Sequence, residues 1–116
     1  MLGIFRRSVR IGKVTSAYPT VAELAPTAFR GMPVLSPQRC DGNAACVAVC
    51  PSAALSLAAT AEARRITLDL ARCIGCGRCV EVCAPGALTI RQEFELASRT
   101  RHDLLTVVTL PAEKEV

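Results

Sequence analysis

The chain has 116 residues, a formal net charge of +4 and seven cysteines, but only 3% aromatic residues and no tryptophan. This length predicts one small domain whose apolar core is thin, so a covalent or metal cross-link is expected to stabilise it. The longest apolar run, Ala44–Cys50, is far too short to span a bilayer, and no nucleic-acid motif accompanies the basic residues.

Residues 1–33 form a predicted N-terminal docking arm. Leu2, Phe5 and Val9 recur at helical spacing, which predicts a short amphipathic helix. Its polar face is basic, because four cationic residues precede the first acidic residue: Arg6, Arg7, Arg10 and Lys13. Such a segment is either a solvated helix end or a dock for a partner subunit or an anionic membrane surface.

Residues 34–91 form the predicted central domain and contain all seven cysteines. Alternating apolar and polar residues predict three short strands, at 55–57, 65–70 and 88–90. Short helical turns are expected after Cys46 and Cys79, and an alanine-rich linker at 59–64 joins the two halves. These elements predict an α+β fold.

The cysteines fall into two runs. The second run, from Cys73 to Cys83, is a complete C-x2-C-x2-C-x3-C. The first, from Cys40 to Cys50, has the same frame with Asn43 at the second position.

The two runs are halves of an internal repeat. Cys79 follows Cys46 by 33 residues, and the same offset relates Cys76 to Asn43. Asn43 therefore occupies a ligand position. The repeat predicts a pseudo-twofold arrangement of the two halves.

Two such runs are the ligand pattern of bacterial-type two-cluster ferredoxins, in which the fourth cysteine of each run binds the other cluster. The rule assigns one [4Fe–4S] cluster to Cys73, Cys76, Cys79 and Cys50, and leaves the second cluster to Cys40, Cys46 and Cys83. This scheme uses every cysteine. Disulfides and structural zinc fit less well, because the cysteine count is odd and the spacing is a triplet with a distant fourth.

Asn43 leaves the second cluster open to three interpretations. An amide oxygen is a weak ligand for iron that prefers thiolate, so the cluster is [3Fe–4S] on three cysteines in the first interpretation. In the second, a fourth iron is retained by water, Asn43 or the nearby Asp41. In the third, the site holds no cluster.

Residues 92–116 form a predicted C-terminal tail with helical character around 101–109. His102 is the only histidine, and its charged surroundings predict a surface position. No paired acid and base is present, so no catalytic residue is predicted. No secretory signal is recognised, and free thiols indicate a reducing compartment.

The arm and the tail carry a family resemblance. Gly12-Lys-Val-Thr-Ser-Ala-Tyr-Pro19, Phe29-Arg-Gly-x-Pro33 and Gln92-Glu-Phe-Glu-Leu-Ala97, with the paired runs, resemble the two-cluster ferredoxin-like subunit of respiratory complex I and group 4 membrane-bound [NiFe] hydrogenases, including formate hydrogenlyase. The resemblance covers about residues 1–105. Asn43, in place of a cysteine, and Ala84, in place of a proline, depart from that family.

The resemblance implies a subunit that relays single electrons between an electron-input module and the hydrogenase-like or complex I-like small and large subunits. It also implies a peripheral position on the cytoplasmic face of the inner membrane. A free soluble ferredoxin is the second hypothesis, although the charge of +4 and the two appended segments argue against it. A mainly structural subunit with a degenerate cluster is the third.

Overall fold

A computed structural model describes residues 2–111 of the chain. Its helices and strands, in chain order, are α1 (Leu2–Ile11), β1 (Met32–Leu35), α2 (Ala45–Ala48), β2 (Leu55–Ala59), β3 (Ala63–Asp69), α3 (Arg78–Glu81), β4 (Leu88–Arg91) and β5 (Leu105–Pro111). Single 3-10 turns lie at Pro37–Arg39 and Arg101–Leu104. The mixture of short helices and antiparallel strands confirms the α+β class. No helix within this range is long and apolar enough to cross a bilayer.

The strands form two antiparallel sheets, and each sheet takes strands from both sequence repeats. β1 pairs with β4, with Leu35 opposite Leu88. β2 pairs with β3, with Leu55 opposite Leu68, and β5 extends that sheet on the other side of β3. Because 33 residues separate Leu35 from Leu68 and Leu55 from Leu88, the two pairings are equivalent under the repeat. Each half of the chain therefore completes the sheet of the other half.

The core lies between the sheets and the two cysteine-bearing helices. Its most deeply buried side chains are Ile66, Leu68, Leu88 and Val108. They alternate with more exposed residues along β3, β4 and β5, as expected for strands with one buried face. The buried cysteines Cys46 and Cys79 pack in the same cluster.

Replacing Leu68 with alanine should strongly destabilise this core. The side chain is 1% exposed, and truncating a buried leucine costs about 2–5 kcal/mol of unfolding free energy. Denaturant unfolding of the iron-loaded protein measures the change. The matched control is Leu24→Ala, since Leu24 is 96% exposed and its truncation should change stability by less than about 0.5 kcal/mol. Equal effects of the two substitutions would contradict the described core.

The predicted arm helix is confirmed as α1. None of its residues is buried, and Leu2, Phe5 and Val9 are 88%, 74% and 83% exposed. The apolar face of this helix therefore has no partner within the described part of the chain.

The prediction of a helical tail at 101–109 is wrong beyond Leu104. One 3-10 turn is present, and β5 follows it as a strand paired with β3 along its whole length. Four of its residues, 106–109, are threonine or valine, and β-branched side chains favour strands over helices. The predicted linker at 59–64 is also more ordered than expected, since it is the tight end of the β2–β3 hairpin. Residues 112–116 of the predicted tail lie outside the described residues.

Candidate metal centres

Both cysteine runs turn into a one-turn helix through a residue with left-handed backbone. Ala44, with φ of 59°, precedes α2, and Gly77, with φ of 77°, precedes α3. This turn directs the next cysteine of each run toward the core, so that Cys46 and Cys79 are only 8% and 9% exposed. Glycine adopts this conformation without strain, whereas alanine does so at a cost. The first run thus has the same turn as the second, with Ala44 at the place of Gly77.

The end of each run is also built alike. The backbone N–H of Cys50 donates to the carbonyl oxygen of Val47 at 3.3 Å, and that of Cys83 donates to Val80 at 3.3 Å. Both sulfur atoms then accept a backbone hydrogen bond, Cys50 from Ala54 and Cys83 from Leu88. Such bonds stabilise a thiolate and adjust the potential of any cluster that it binds.

The first centre gathers cysteines from both runs. Cys40, Asn43 and Cys46 of the first run line a small cavity together with Cys83 of the second, and Asp41 lies at the same cavity. Burial, followed by the neighbouring Cys83 and Cys40, raises the pKa of the Cys46 thiol. Three thiols therefore face one another in a partly buried space, and one of them comes from the other run.

The second centre gathers the triplet of the complete run. Burial, followed by Cys73 and Cys76, raises the pKa of Cys79 to about 11. The backbone N–H of Gly75 donates to the sulfur of Cys73 at 3.4 Å, and the positive φ of Gly75, 66°, allows this tight loop. Cys46 also contributes to raising the pKa of Cys79, so the two buried cysteines lie close to each other.

Cys50 is the one predicted ligand that no described contact joins to its predicted centre. Burial opposes ionisation of its thiol, but hydrogen bonds from the Leu55 and Ala54 backbone and from Ser52 outweigh it, so the pKa is lowered. Under the repeat, Cys50 corresponds to Cys83, which does reach the opposite centre.

The donor set fits an iron–sulfur cluster. Three convergent thiols are soft ligands that iron in such clusters prefers. Because the pKa values of Cys46 and Cys79 are raised, these two thiols must release protons when they bind metal. Between residues 2 and 111, no three His, Cys, Asp or Glu side chains lie close enough together to hold a single metal ion. A cuboidal cluster differs from a single ion in spreading its thiolates over its corners.

Asn43 uses its side chain within the loop. Its amide oxygen Oδ1 accepts a hydrogen bond from the backbone N–H of Ala45 at 3.0 Å. Its Nδ2 and its backbone N–H donate to the two carboxylate oxygens of Asp41, at 3.2 and 3.1 Å. Asparagine and aspartate commonly satisfy backbone groups of a turn in this way. The amide oxygen, which is the only atom of Asn43 suited to iron, is therefore already engaged.

Two further residues named in the sequence analysis differ in their relation to the centres. His102 is exposed in the 3-10 turn, as predicted. Arg30 was singled out only as part of the arm motif, yet its guanidinium contacts the second loop at the carbonyl oxygen of Cys76. No local sequence pattern signals this contact, because the two residues lie 46 positions apart in the chain.

Comparison with known proteins supports an iron–sulfur type of centre. Residues 32–85 match the family model of the 4Fe-4S dicluster domain. This dicluster region begins at the first residue of β1 and contains all seven cysteines. The match supports iron–sulfur clusters as the cofactors of the dicluster region and electron transfer as its role.

A curated protein from Escherichia coli is similar to part of this chain. The chain is similar to formate hydrogenlyase subunit 6 of Escherichia coli (strain K12), with 40% identity over 57 residues. These residues make up 49% of this chain and 32% of the relative, so the chain matches about a third of that protein's length. The likeness is therefore to part of that subunit.

Proposed function

We propose that this protein is an electron-transfer subunit that relays single electrons within a membrane-associated hydrogenase-type or complex I-like oxidoreductase. The carrying observation is the cavity in which Cys83 of the second run joins Cys40 and Cys46 of the first. This crossing is the ligand arrangement that the two-cluster rule requires, and it lies inside the region that matches the dicluster domain.

The proposed ligand sets follow the crossing. Cys73, Cys76 and Cys79, with Cys50 from the first run, hold a [4Fe–4S] cluster, and Cys40, Cys46 and Cys83 hold the second cluster. When bound, the clusters supply one-electron redox chemistry. The chain's own residues supply thiolates, donate backbone hydrogen bonds to sulfur and exclude water with the buried leucines of β3 and β4. Cys46 and Cys79 pack in one core cluster, and this supports electron transfer between the two centres.

The second cluster is proposed to be [3Fe–4S]. A fourth iron would need a ligand at the position of Asn43, and the Oδ1 atom of that residue already accepts the Ala45 N–H. Both carboxylate oxygens of Asp41 likewise accept hydrogen bonds from Asn43. Both side chains are thus already used to hold the loop in this conformation.

Electron paramagnetic resonance of anaerobically prepared protein tests the two-cluster proposal. The oxidised sample should show the sharp signal of a [3Fe–4S] cluster, and dithionite reduction should reveal a second, [4Fe–4S] centre. A sample without either signal and without iron would refute the proposal. Co-purification with a hydrogenase-like or complex I-like large subunit separates the relay from a free ferredoxin, which would purify alone.

The arm helix α1 is proposed to hold the complex against an anionic membrane surface. Its apolar face is fully exposed, and three arginines lie on the same short helix: Arg6, Arg7 and Arg10. Helices with this pairing of apolar and basic faces bind at lipid headgroups. We also propose a peripheral position on the cytoplasmic face of the inner membrane, because free thiols indicate a reducing compartment.

Replacing Phe5 with aspartate should weaken binding to anionic vesicles by about tenfold or more. The substitution removes a phenylalanine whose burial contributes about 1.5–3 kcal/mol and places a charge among acyl chains. Vesicle sedimentation with phosphatidylglycerol-containing and neutral lipid measures the change. Leu24→Asp is the matched control, because it places the same charge at an exposed apolar residue outside α1. It should leave binding unchanged. Equal binding to neutral vesicles, or no effect of Phe5→Asp, would exclude this docking mode.

A further inference from the structure

We propose that Arg30 raises the reduction potential of the cluster held by the Cys73–Cys79 loop. This inference rests on the proposed function, because it requires a cluster in that loop. It assigns a role to an arm residue that lies outside the cysteine runs and provides no ligand.

Arg30 places a positive charge beside the second loop. Its Nη1 atom lies 3.4 Å from the carbonyl oxygen of Cys76, the central cysteine of the triplet. A guanidinium stays charged at every relevant pH, so the charge is permanent. The contact is long for a hydrogen bond, and the proposed effect therefore rests on the charge more than on the bond.

The backbone directly after Arg30 is held firmly. Gly31 has a positive φ of 57°, and a Cβ built there would lie 2.0 Å from the carbonyl oxygen of Arg91 and 2.7 Å from Cγ2 of Ile90. Met32 then begins β1, which pairs with β4. Only glycine fits this close passage, and the passage fixes where the arm delivers Arg30.

The same segment covers the outer side of the loop. A Cβ built on Gly75, between Cys73 and Cys76, would lie 3.5 Å from the carbonyl oxygen of Gly31. A cavity of about 160 Å³ beside Cys73 is walled mainly by apolar side chains of the arm and the tail, among them Phe29, Met32 and Phe94. The cover shields part of the loop from water, whereas the Arg30 side chain at its edge is exposed, so solvent screens part of its charge.

The tail is tied to the arm at this cover. The ring centroids of Tyr18 and Phe94 are 5.8 Å apart, and the Tyr18 hydroxyl donates a hydrogen bond to the carboxylate of Glu95. The cover is therefore formed by two segments, the arm and the tail, that contact each other.

The charge has a defined effect on the cluster. Reduction adds one negative charge, and a nearby cation stabilises the reduced form more than the oxidised form, so the potential rises. The repeat position of Arg30 is Ala63, so this contact has no counterpart at Asn43. Arg64, the next residue, instead lies near Gly42 of the first loop. The shift caused by Arg30 is thus specific to the second loop.

Redox titration of the full chain, followed by electron paramagnetic resonance with iron quantified, tests the inference. Arg30→Gln should lower the midpoint potential of the Cys73–Cys79 cluster. The expected fall is up to about 59 mV, which is a tenfold change in the equilibrium constant for one-electron reduction. Arg30→Lys keeps the charge and should stay closer to the native potential. Arg99→Gln changes the net charge equally from the exposed tail and is the matched control.

Each outcome decides the matter. A lowered potential for Arg30→Gln alone, at full iron content, supports the inference, whereas an unchanged potential at full iron content overturns it. If Arg30→Gln does not retain its cluster, Arg30→Met is measured in its place. Loss of the cluster from both neutral variants but not from Arg30→Lys would assign Arg30 a structural role and overturn tuning. Absence of iron from the native chain would refute the proposed function itself.

Discussion

Replacing Cys76 with serine is expected to remove the [4Fe–4S] cluster of the complete run and to lower iron content by about four atoms per chain. Cys76 supplies the middle thiolate of the triplet, and a hydroxyl is a poor replacement for a soft ligand. Cluster binding is coupled to folding, so stability falls as well. Each kcal/mol of unfolding free energy that is lost lowers Tm by roughly 4–8 °C in a domain of about this size. A loss of about 2 kcal/mol or more should therefore lower Tm by at least about 10 °C.

Iron analysis and thermal unfolding under anaerobic conditions measure both effects. Ile74→Ser is the matched control, since Ile74 lies in the same loop with an exposed side chain that no ligand set includes. It should leave iron content unchanged. Unaltered iron content in the Cys76→Ser protein would contradict the ligand assignment, and turnover of an assembled complex without this cluster would favour the mainly structural role.

Replacing Asn43 with cysteine is expected to add about one iron per chain and to abolish the sharp signal of the oxidised protein. The substitution places a thiolate at the repeat position of Cys76, on a loop that already has the left-handed turn and the buried cysteine of its counterpart. The fourth iron then has the ligand that the native loop withholds. Iron analysis and electron paramagnetic resonance of the reconstituted protein record the conversion.

Asn43→Ser separates the thiolate from the loss of the turn. Serine keeps an oxygen able to accept the Ala45 N–H, as Asn43 does at 3.0 Å, but adds no soft ligand. It should therefore keep the native iron content. An iron content that is the same in the native and Asn43→Cys proteins would show that the native cluster already holds four irons or that this loop does not accept a fourth.

The part of the fold that repeats in the sequence was predictable. The strands at 55–57, 65–70 and 88–90 and the helical turns around Cys46 and Cys79 are present, because alternation and cysteine spacing are local signals. β1 was not predicted, since four residues give too short a pattern and its place depends on pairing with β4. β5 was assigned the wrong type, since its threonines and valines and its pairing with β3 favour a strand.

The candidate centres were predictable in composition but not in detail. The 33-residue offset identifies Asn43 as a ligand position, yet it gives no sign that the side chain closes a turn with Ala45. The contact of Arg30 with Cys76 joins residues 46 apart and depends on how the arm passes Arg91. Such contacts are set by tertiary structure, which a single sequence does not encode in any local pattern.

The exchange of strands between the repeats bears on how the protein is made. A nascent chain that ends before residue 83 lacks β4, the strand that pairs with β1 in the described part of the chain, and also lacks the cysteine that the first run borrows. With the proposed ligand sets, the first centre cannot be completed while the second half is still inside the ribosome. Domains usually fold during synthesis from the N-terminus onward. Here cofactor insertion at the first centre must wait until Cys83 has emerged, so an insertion step would act on both halves together rather than on the emerging first half.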